Sequence, residues 1–176
     1  MGDISSPEAD AFKLNMEAAD RAIQAFGDAT VTPLSSNTHI HLSFNYFCCY
    51  SKTDTATIKR ILHSFEWPAV EISYDRPVWR IDSDAADVDH YSAIVLLDEA
   101  SQQRMQDVML AVEAAIRSAG VDVHVPRSQQ EPFHSTLAVV SGKSFPAIAA
   151  LQAVNEAVPP GTWNSAGPIT LSKPSF

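Results

Sequence analysis

Two short segments of the sequence pair a histidine with a hydroxyl residue two positions later. His134 and Thr136 lie in an apolar, strand-like run in the second half of the chain, and His41 and Ser43 lie in a similar run in the first half. Side chains alternate across a β-strand, so each histidine shares a face with its hydroxyl residue, roughly 6.5–7 Å away. One such tripeptide is commonplace, but two in corresponding halves indicate a paired site.

Two imidazoles flanking two hydroxyls suit the chemistry of a phosphodiester. The hydroxyls can donate hydrogen bonds to the non-bridging oxygens while one histidine takes up a proton and the other gives one. Histidine fits this work because its ordinary pKa of about 6.5 makes both protonation states available near neutral pH. The scheme requires no metal and no other cofactor, and it leaves open which histidine is the acid.

Further residues are candidates for contacting a nucleotide. His39 lies on the same strand face as His41. The rings of Tyr74, Trp79 and Phe133 could stack on a base, although strand aromatics more often belong to a hydrophobic core. Four basic residues are candidates for phosphate or ribose contacts: Arg76, Arg80, Arg127 and Lys143.

The hydrophobic pattern predicts the elements that must position these residues. Amphipathic helices are expected over residues 6–26, 53–65, 99–119 and 145–157. Strands or extended segments are expected over residues 38–50, 70–74, 78–81, 91–97, 121–125, 133–140 and 167–172. Arg76 and Pro77 are expected to break or turn the chain after the segment 70–74, before extended structure resumes at 78–81. Each histidine strand is followed by a helix and another strand, which predicts two pseudo-repeat lobes.

Composition limits the classes of protein and partner. The 176 residues, 45% of them apolar, predict one domain spanning 1–176, and no apolar run approaches the roughly 18 residues of a membrane helix. The net charge of −9 argues against extended nucleic-acid binding but allows a nucleotide or RNA end in a local pocket. Neighbouring Cys48 and Cys49 cannot bridge in a regular strand. With the acidic N-terminus, they favour an intracellular, cytoplasmic protein.

The two motifs, His41-Leu42-Ser43-Phe44 and His134-Ser135-Thr136-Leu137, resemble the signature of the 2H phosphoesterase superfamily. Members carry two His-x-Thr/Ser motifs on inner strands, and their motif separation and length are similar to those of this chain. The resemblance implies a bilobal, pseudo-symmetric α+β fold. Its two antiparallel-rich sheets would face a central cleft, with helices outside. Ser43 stands where threonine is commoner, but it keeps the hydroxyl.

The same resemblance implies roles for four residues. His41 and His134 would act as general acid and base, and Ser43 and Thr136 would hold the phosphate oxygens. The expected protein is a metal-independent hydrolase that opens or hydrolyses a 2′,3′-cyclic phosphate, or a related phosphodiester, on a nucleotide or RNA end.

Two alternatives stay open. A nucleotide-binding module of the same fold could keep the pocket without turning a substrate over. A metal-dependent enzyme could use His39 and His41, which share one strand face, with further ligands from His90, His124, His134 or carboxylates. Turnover separates the first alternative from the expected enzyme, and sensitivity to a chelator separates the second. The sequence does not indicate an oligomeric state.

Overall fold

The computed structural model describes residues 6–26, 30–33, 49–81, 90–141 and 145–171. The helices are α1 (Pro7–Gln24), α2 (Lys52–Ser64), α3 (Glu99–Ser118) and α4 (Ala147–Ala157), with 3-10 turns at Arg127–Gln129 and Thr162–Asn164. The strands are β1 (Thr30–Pro33), β2 (Val70–Ile72), β3 (Tyr74–Ile81), β4 (His90–Leu97), β5 (His134–Ser141) and β6 (Ile169–Leu171). The expected α+β class is therefore confirmed.

Short polar side chains fix where three of the helices begin. Ser6, Ser51 and Asp98 each accept a hydrogen bond from the backbone N–H three residues later, at 3.2, 3.1 and 2.7 Å respectively. These bonds satisfy N–H groups that have no partner inside the helix. All four helices lie within two residues of their predicted bounds, and Gly120 follows α3 with a φ of +83°.

The described strands form two antiparallel sheets. The larger sheet has the order β1-β5-β4-β3, and the smaller one pairs β2 with β6. Strand β5, which carries the second histidine motif, is an inner strand between β1 and β4. Strand β1 pairs with Ala138–Ser141, whereas His134–Thr136 pair with β4, the one strand that flanks them among the described residues.

The predicted interruption at Arg76 and Pro77 is wrong, because β3 runs through both residues. Strand β3 is an edge strand of the larger sheet, where the N–H that proline lacks is not needed by a further strand. The register also shifts between Tyr74 and Pro77, so the irregularity is absorbed as a local bulge.

The predicted extended segment at 121–125 is not a strand in the described chain. Val121 and Val123 are each 5% exposed, so alternate side chains do enter the core. The alternating pattern therefore predicted burial correctly, but this segment does not pair with a strand among the described residues.

Helices pack on one face of the larger sheet. Helix α1 contacts α4 and β5, and α4 contacts β3. We call this side the helix face and the opposite side the motif face. Helix α3 packs instead against α2 and β2. Among the described helices, none is long and apolar enough to cross a membrane.

Strand β5 contains one extra residue within its pairing to β4. Thr136 and Ala138 pair with consecutive residues of β4, so Leu137 is left over as a β-bulge. Ser135 and Leu137 are buried before this point, and Ala138 and Val140 are buried after it. The buried positions therefore change from odd-numbered to even-numbered residues at the bulge. As a result, the same face of β5 is buried along the whole strand.

Candidate functional site

His134 and Thr136 lie on the motif face of the larger sheet. They pair across the strands with Leu96 and Ile94 of β4, and directly opposed residues share a face. Both side chains are half-buried, whereas intervening Ser135 is only 1% exposed. The alternation predicted for this motif is confirmed.

The first motif lies outside the described residues. His39, His41 and Ser43 fall in the segment 34–48, which the structure does not describe. The pairing of the two motifs, and the choice of His41 over His39, therefore stay predictions.

The imidazole of His134 is held by the backbone two residues before it. Its Nδ1 lies 2.8 Å from the carbonyl oxygen of Pro132. A carbonyl can only accept, so Nδ1 carries the proton and donates it. In the neutral ring, Nε2 then holds the lone pair that can accept a proton, and in the charged ring it can return one. This tautomer suits an acid–base group that reacts through Nε2.

Tyr74 and Phe133, two of the rings that could stack on a base, are core residues in this structure. Tyr74 is 3% exposed, and its ring stacks on that of Phe12 with centroids 4.1 Å apart. Phe133 is 1% exposed, and the Arg127 guanidinium carbon lies 3.6 Å from its ring centroid. Because the faces of both rings are covered by protein, neither is open to a base in this structure.

Trp79 also lies away from the motif. It pairs with Ala93, which neighbours Ile94 of the motif face and therefore points to the helix face, so Trp79 lies on the helix face too. Its indole N–H donates to the carbonyl oxygen of Ala147 at 2.6 Å. Phe145 meets its ring edge-on at 5.4 Å. Trp79 thus ties β3 to the start of α4, and we leave it out of the proposed site.

Arg127 is not open for phosphate binding. Its side chain is buried, it packs on Phe133, and its guanidinium donates to the carbonyl oxygen of Glu131. Burial lowers the pKa of Arg127, and the nearby carboxylates of Glu113 and Glu131 oppose that shift. Its role is to pack the segment that leads into β5. Arg76 is exposed beside Asp75, and Lys143 lies outside the described residues.

Ser135, the middle residue of the motif, is held by a hydrogen bond on the helix face of the sheet. The Tyr74 hydroxyl and Ser135 Oγ are 2.7 Å apart and joined by a hydrogen bond inside the core. Tyr74 is itself clamped, since Asn164 accepts from its N–H at 2.7 Å and donates to its carbonyl at 2.6 Å. The helix face therefore holds in place the residue between His134 and Thr136.

We expect the burial of the Tyr74 hydroxyl to make the free energy of unfolding sensitive to alkali. Burial raises the pKa of Tyr74 above its ordinary value of about 10, although the hydrogen bond to Ser135 opposes this shift. Tyr74 therefore ionises at a lower pH in the unfolded chain than in the folded one. The stabilisation that the neutral, buried hydroxyl contributes is fully present below about pH 10 and is lost as the pH rises towards the folded pKa.

Urea unfolding of Tyr74→Phe at pH 7 to 11 measures the effect. The variant should be less stable than the parent by about 0.5–1.5 kcal/mol at pH 7, and the gap should narrow above pH 10. A difference in the free energy of unfolding that stays constant from pH 7 to 11 would contradict the raised pKa of Tyr74.

A glutamine that the sequence did not nominate contacts the start of β5. Gln102 Oε1 accepts from the N–H of Phe133 at 2.8 Å, and its Nε2 donates to the carbonyl oxygens of Phe133 at 2.7 Å and Leu97 at 3.3 Å. Gln102 lies on α3, 31 residues before Phe133. Nothing in the local pattern of α3 distinguishes it from its neighbours.

The predicted metal alternative finds no support among the described residues. Within those ranges, no group of three or more His, Cys, Asp or Glu side chains is arranged to hold a metal ion. His124 is exposed and stacks on Tyr50 at 4.3 Å. His39, His41 and the side chain of His90 lie outside the described set, so their part in this alternative stays untested.

Comparison with known proteins gives a likeness in structure. No protein-family model matches the chain, and no curated protein matches it in sequence. Two solved structures do match, both of Usb1 from Kluyveromyces marxianus, and one of them contains uridine monophosphate.

The likeness to Usb1 covers most of both chains at a low sequence identity. For the first Usb1 structure the TM-score is 0.51 at 14% identity, covering 88% of this chain and 76% of Usb1. For the structure with uridine monophosphate it is 0.50 at 13%, covering 92% and 79%. At such identities the likeness shows a shared fold.

Proposed function

We propose that this protein is a metal-independent phosphodiesterase that opens or hydrolyses a 2′,3′-cyclic phosphate, or a related phosphodiester, on a nucleotide or RNA end. The observation that carries the proposal is the pairing of His134 and Thr136 on one sheet face, with Nδ1 of His134 held by Pro132. The Usb1 structure with uridine monophosphate supports a nucleotide as the class of ligand.

The proposed reaction uses two histidines. One takes a proton from the attacking water as its oxygen bonds to phosphorus. The other gives a proton to the ribose oxygen as the phosphorus–oxygen bond of the ring breaks, so that a cyclic diester and water become a monoester. His134 supplies one of these groups and His41 the other. Acid–base steps of this kind contribute about 10²–10⁴-fold each.

The hydroxyls supply the charge stabilisation. Thr136, and Ser43 on the first motif, donate hydrogen bonds to the non-bridging oxygens of the phosphate, where negative charge grows in the transition state. For both motifs to reach one phosphate, the two motif strands would face one another across a cleft between two lobes, as the resemblance to the 2H phosphoesterases implies. With a net charge of −9, the chain suits a compact ligand better than a long nucleic acid.

Turnover tests the proposal directly. Purified protein is incubated in EDTA with nucleoside 2′,3′-cyclic phosphates and a short RNA ending in a cyclic phosphate, and the products are separated by chromatography. We expect EDTA-resistant turnover that rises and falls between about pH 5 and 9. Tight nucleotide binding without turnover would instead identify a binding module. Activity only after a divalent metal is restored would favour the His39/His41 metal site.

Thr136 provides a second test. Thr136→Ala should reduce kcat/KM by about 10- to 100-fold, because a hydrogen bond to a charged group contributes about 1.5–3 kcal/mol. Thr136→Ser keeps the hydroxyl and should recover most of the loss. Thr53→Ala, at an exposed position of α2, is the matched control. Equal rates for Thr136→Ala and the parent would remove Thr136 from the site.

A further inference from the structure

We propose that Gln102 is a positioning residue that fixes the orientation of the His134 imidazole. The inference rests on the proposed function for its catalytic consequence, but its structural content can be tested without any substrate. It starts from the place of the Gln102 carboxamide in the backbone ladder between β4 and β5.

The carboxamide is inserted where a rung of that ladder would otherwise lie. The register that pairs Leu96 with His134 places Leu97 opposite Phe133, the residue before β5, and the N–H of Leu97 donates to the carbonyl of Phe133 at 3.2 Å. In a regular antiparallel pair, the N–H of Phe133 would donate back to the carbonyl of Leu97. Instead, Gln102 accepts from that N–H and donates to that carbonyl. It replaces the missing bond with two of its own.

The N–H of Phe133 belongs to the same peptide unit as the carbonyl of Pro132. This unit is planar and trans, so its two polar groups point in opposite directions. One side is bound by Gln102 Oε1 at 2.8 Å, and the other accepts from His134 Nδ1 at 2.8 Å. A rigid plane therefore connects the glutamine to the imidazole. Rotation of this plane would carry the carbonyl away from Nδ1.

Two effects follow from this connection. The carboxamide holds the peptide plane, and therefore the imidazole, in one orientation. It also polarises the peptide group, because a hydrogen bond to the N–H makes the carbonyl a better acceptor. Both effects favour the tautomer with the proton on Nδ1, and so keep Nε2 as the reacting nitrogen. Gln102 touches no substrate in this scheme.

The test replaces Gln102 by methionine, which has similar length and helix propensity but cannot make these hydrogen bonds. Gln103→Met is the matched control, since Gln103 is the next residue of α3 and its exposed side chain donates to Asp107. The two ring nitrogens of His134 are followed by ¹⁵N NMR in the unliganded protein at alkaline pH. This readout reports the tautomer, which a merely structural contact would not change.

We expect the parent and Gln103→Met to show one dominant tautomer with the proton on Nδ1. In Gln102→Met the two ring signals should move towards each other, as the tautomers mix. Catalytic turnover of a cyclic phosphodiester should fall about 10- to 100-fold in kcat with KM little changed, as expected for a misoriented catalytic group. An unchanged His134 tautomer in Gln102→Met would overturn the proposal.

A measurement on the parent protein covers the case in which Gln102→Met does not fold. A scalar coupling through the hydrogen bond, from the Phe133 amide nitrogen to the Gln102 side-chain carbonyl carbon, should be detectable, and its absence would overturn the proposal. If the parent turns over no phosphodiester but the tautomer shifts as expected, the proposed function fails while the positioning role of Gln102 stands.

Discussion

Substitution of His134 by alanine is expected to lower turnover of a cyclic phosphodiester by about 10²–10⁴-fold, because the reaction loses one of its two proton-transfer groups. Thr136 remains in place on the same strand, so substrate binding should change much less. The loss should therefore appear in kcat, measured in EDTA under saturating substrate. The same result is expected for His41→Ala, at the position that the sequence pairs with His134.

The control is a histidine that lies far from the motif in the sequence. His63 is exposed near the end of α2, and His63→Ala should retain the parent rate. A fully active His134→Ala enzyme would contradict the two-histidine mechanism. Loss in His134→Ala with full activity in His41→Ala would instead require a different partner for His134, and His39→Ala would then be the variant to measure.

Phe12→Ala is expected to produce the largest loss of folding stability, about 3–5 kcal/mol of the free energy of unfolding. Phe12 is fully buried on α1. Its ring stacks on Tyr74 at 4.1 Å and lies 5.7 Å from that of Trp163. Truncation removes apolar contacts on both sides and leaves a cavity. Denaturant unfolding, with the midpoint and slope compared to those of the parent, measures the loss.

Leu14→Ala provides the comparison on the same helix. Leu14 is 64% exposed, so its truncation should change stability by no more than about 0.5 kcal/mol. If Phe12→Ala does not fold, Phe12→Leu should show a smaller loss of the same sign. Similar stabilities for Phe12→Ala and Leu14→Ala would mean that α1 does not pack on the sheet through Phe12.

Patterns within one element predicted much of this fold. The apolar periodicity of α2 and α3 gave their ranges because burial of one helical face is a local property. Alternation likewise gave the shared face of His134 and Thr136. The continuity of β3 through Pro77 could not be predicted in this way, because it depends on β3 being an edge strand, which is a property of the whole sheet.

What the sequence did not predict within the candidate site has a similar cause. An aromatic residue in a strand faces ligand or core according to what covers that side of the sheet, and α1 and the loop before β5 cover Tyr74 and Phe133. Gln102 was missed because its three hydrogen-bond partners are backbone atoms of Leu97 and Phe133. Because backbone N–H and carbonyl groups are common to nearly all residue types, the type of the partner residue does not indicate such a contact.

The extra residue at Leu137 has a consequence for recognising distant relatives. It shifts the phase of β5 by one position between Thr136 and Ala138. A relative whose strand is regular would align with this chain in the motif or in the rest of the strand, but ungapped alignment could not match both. Profile searches that penalise a single-residue gap inside a strand would then lose one of these segments. A gap allowed at Leu137 would let the motif and the core-facing positions of β5 contribute to the same match.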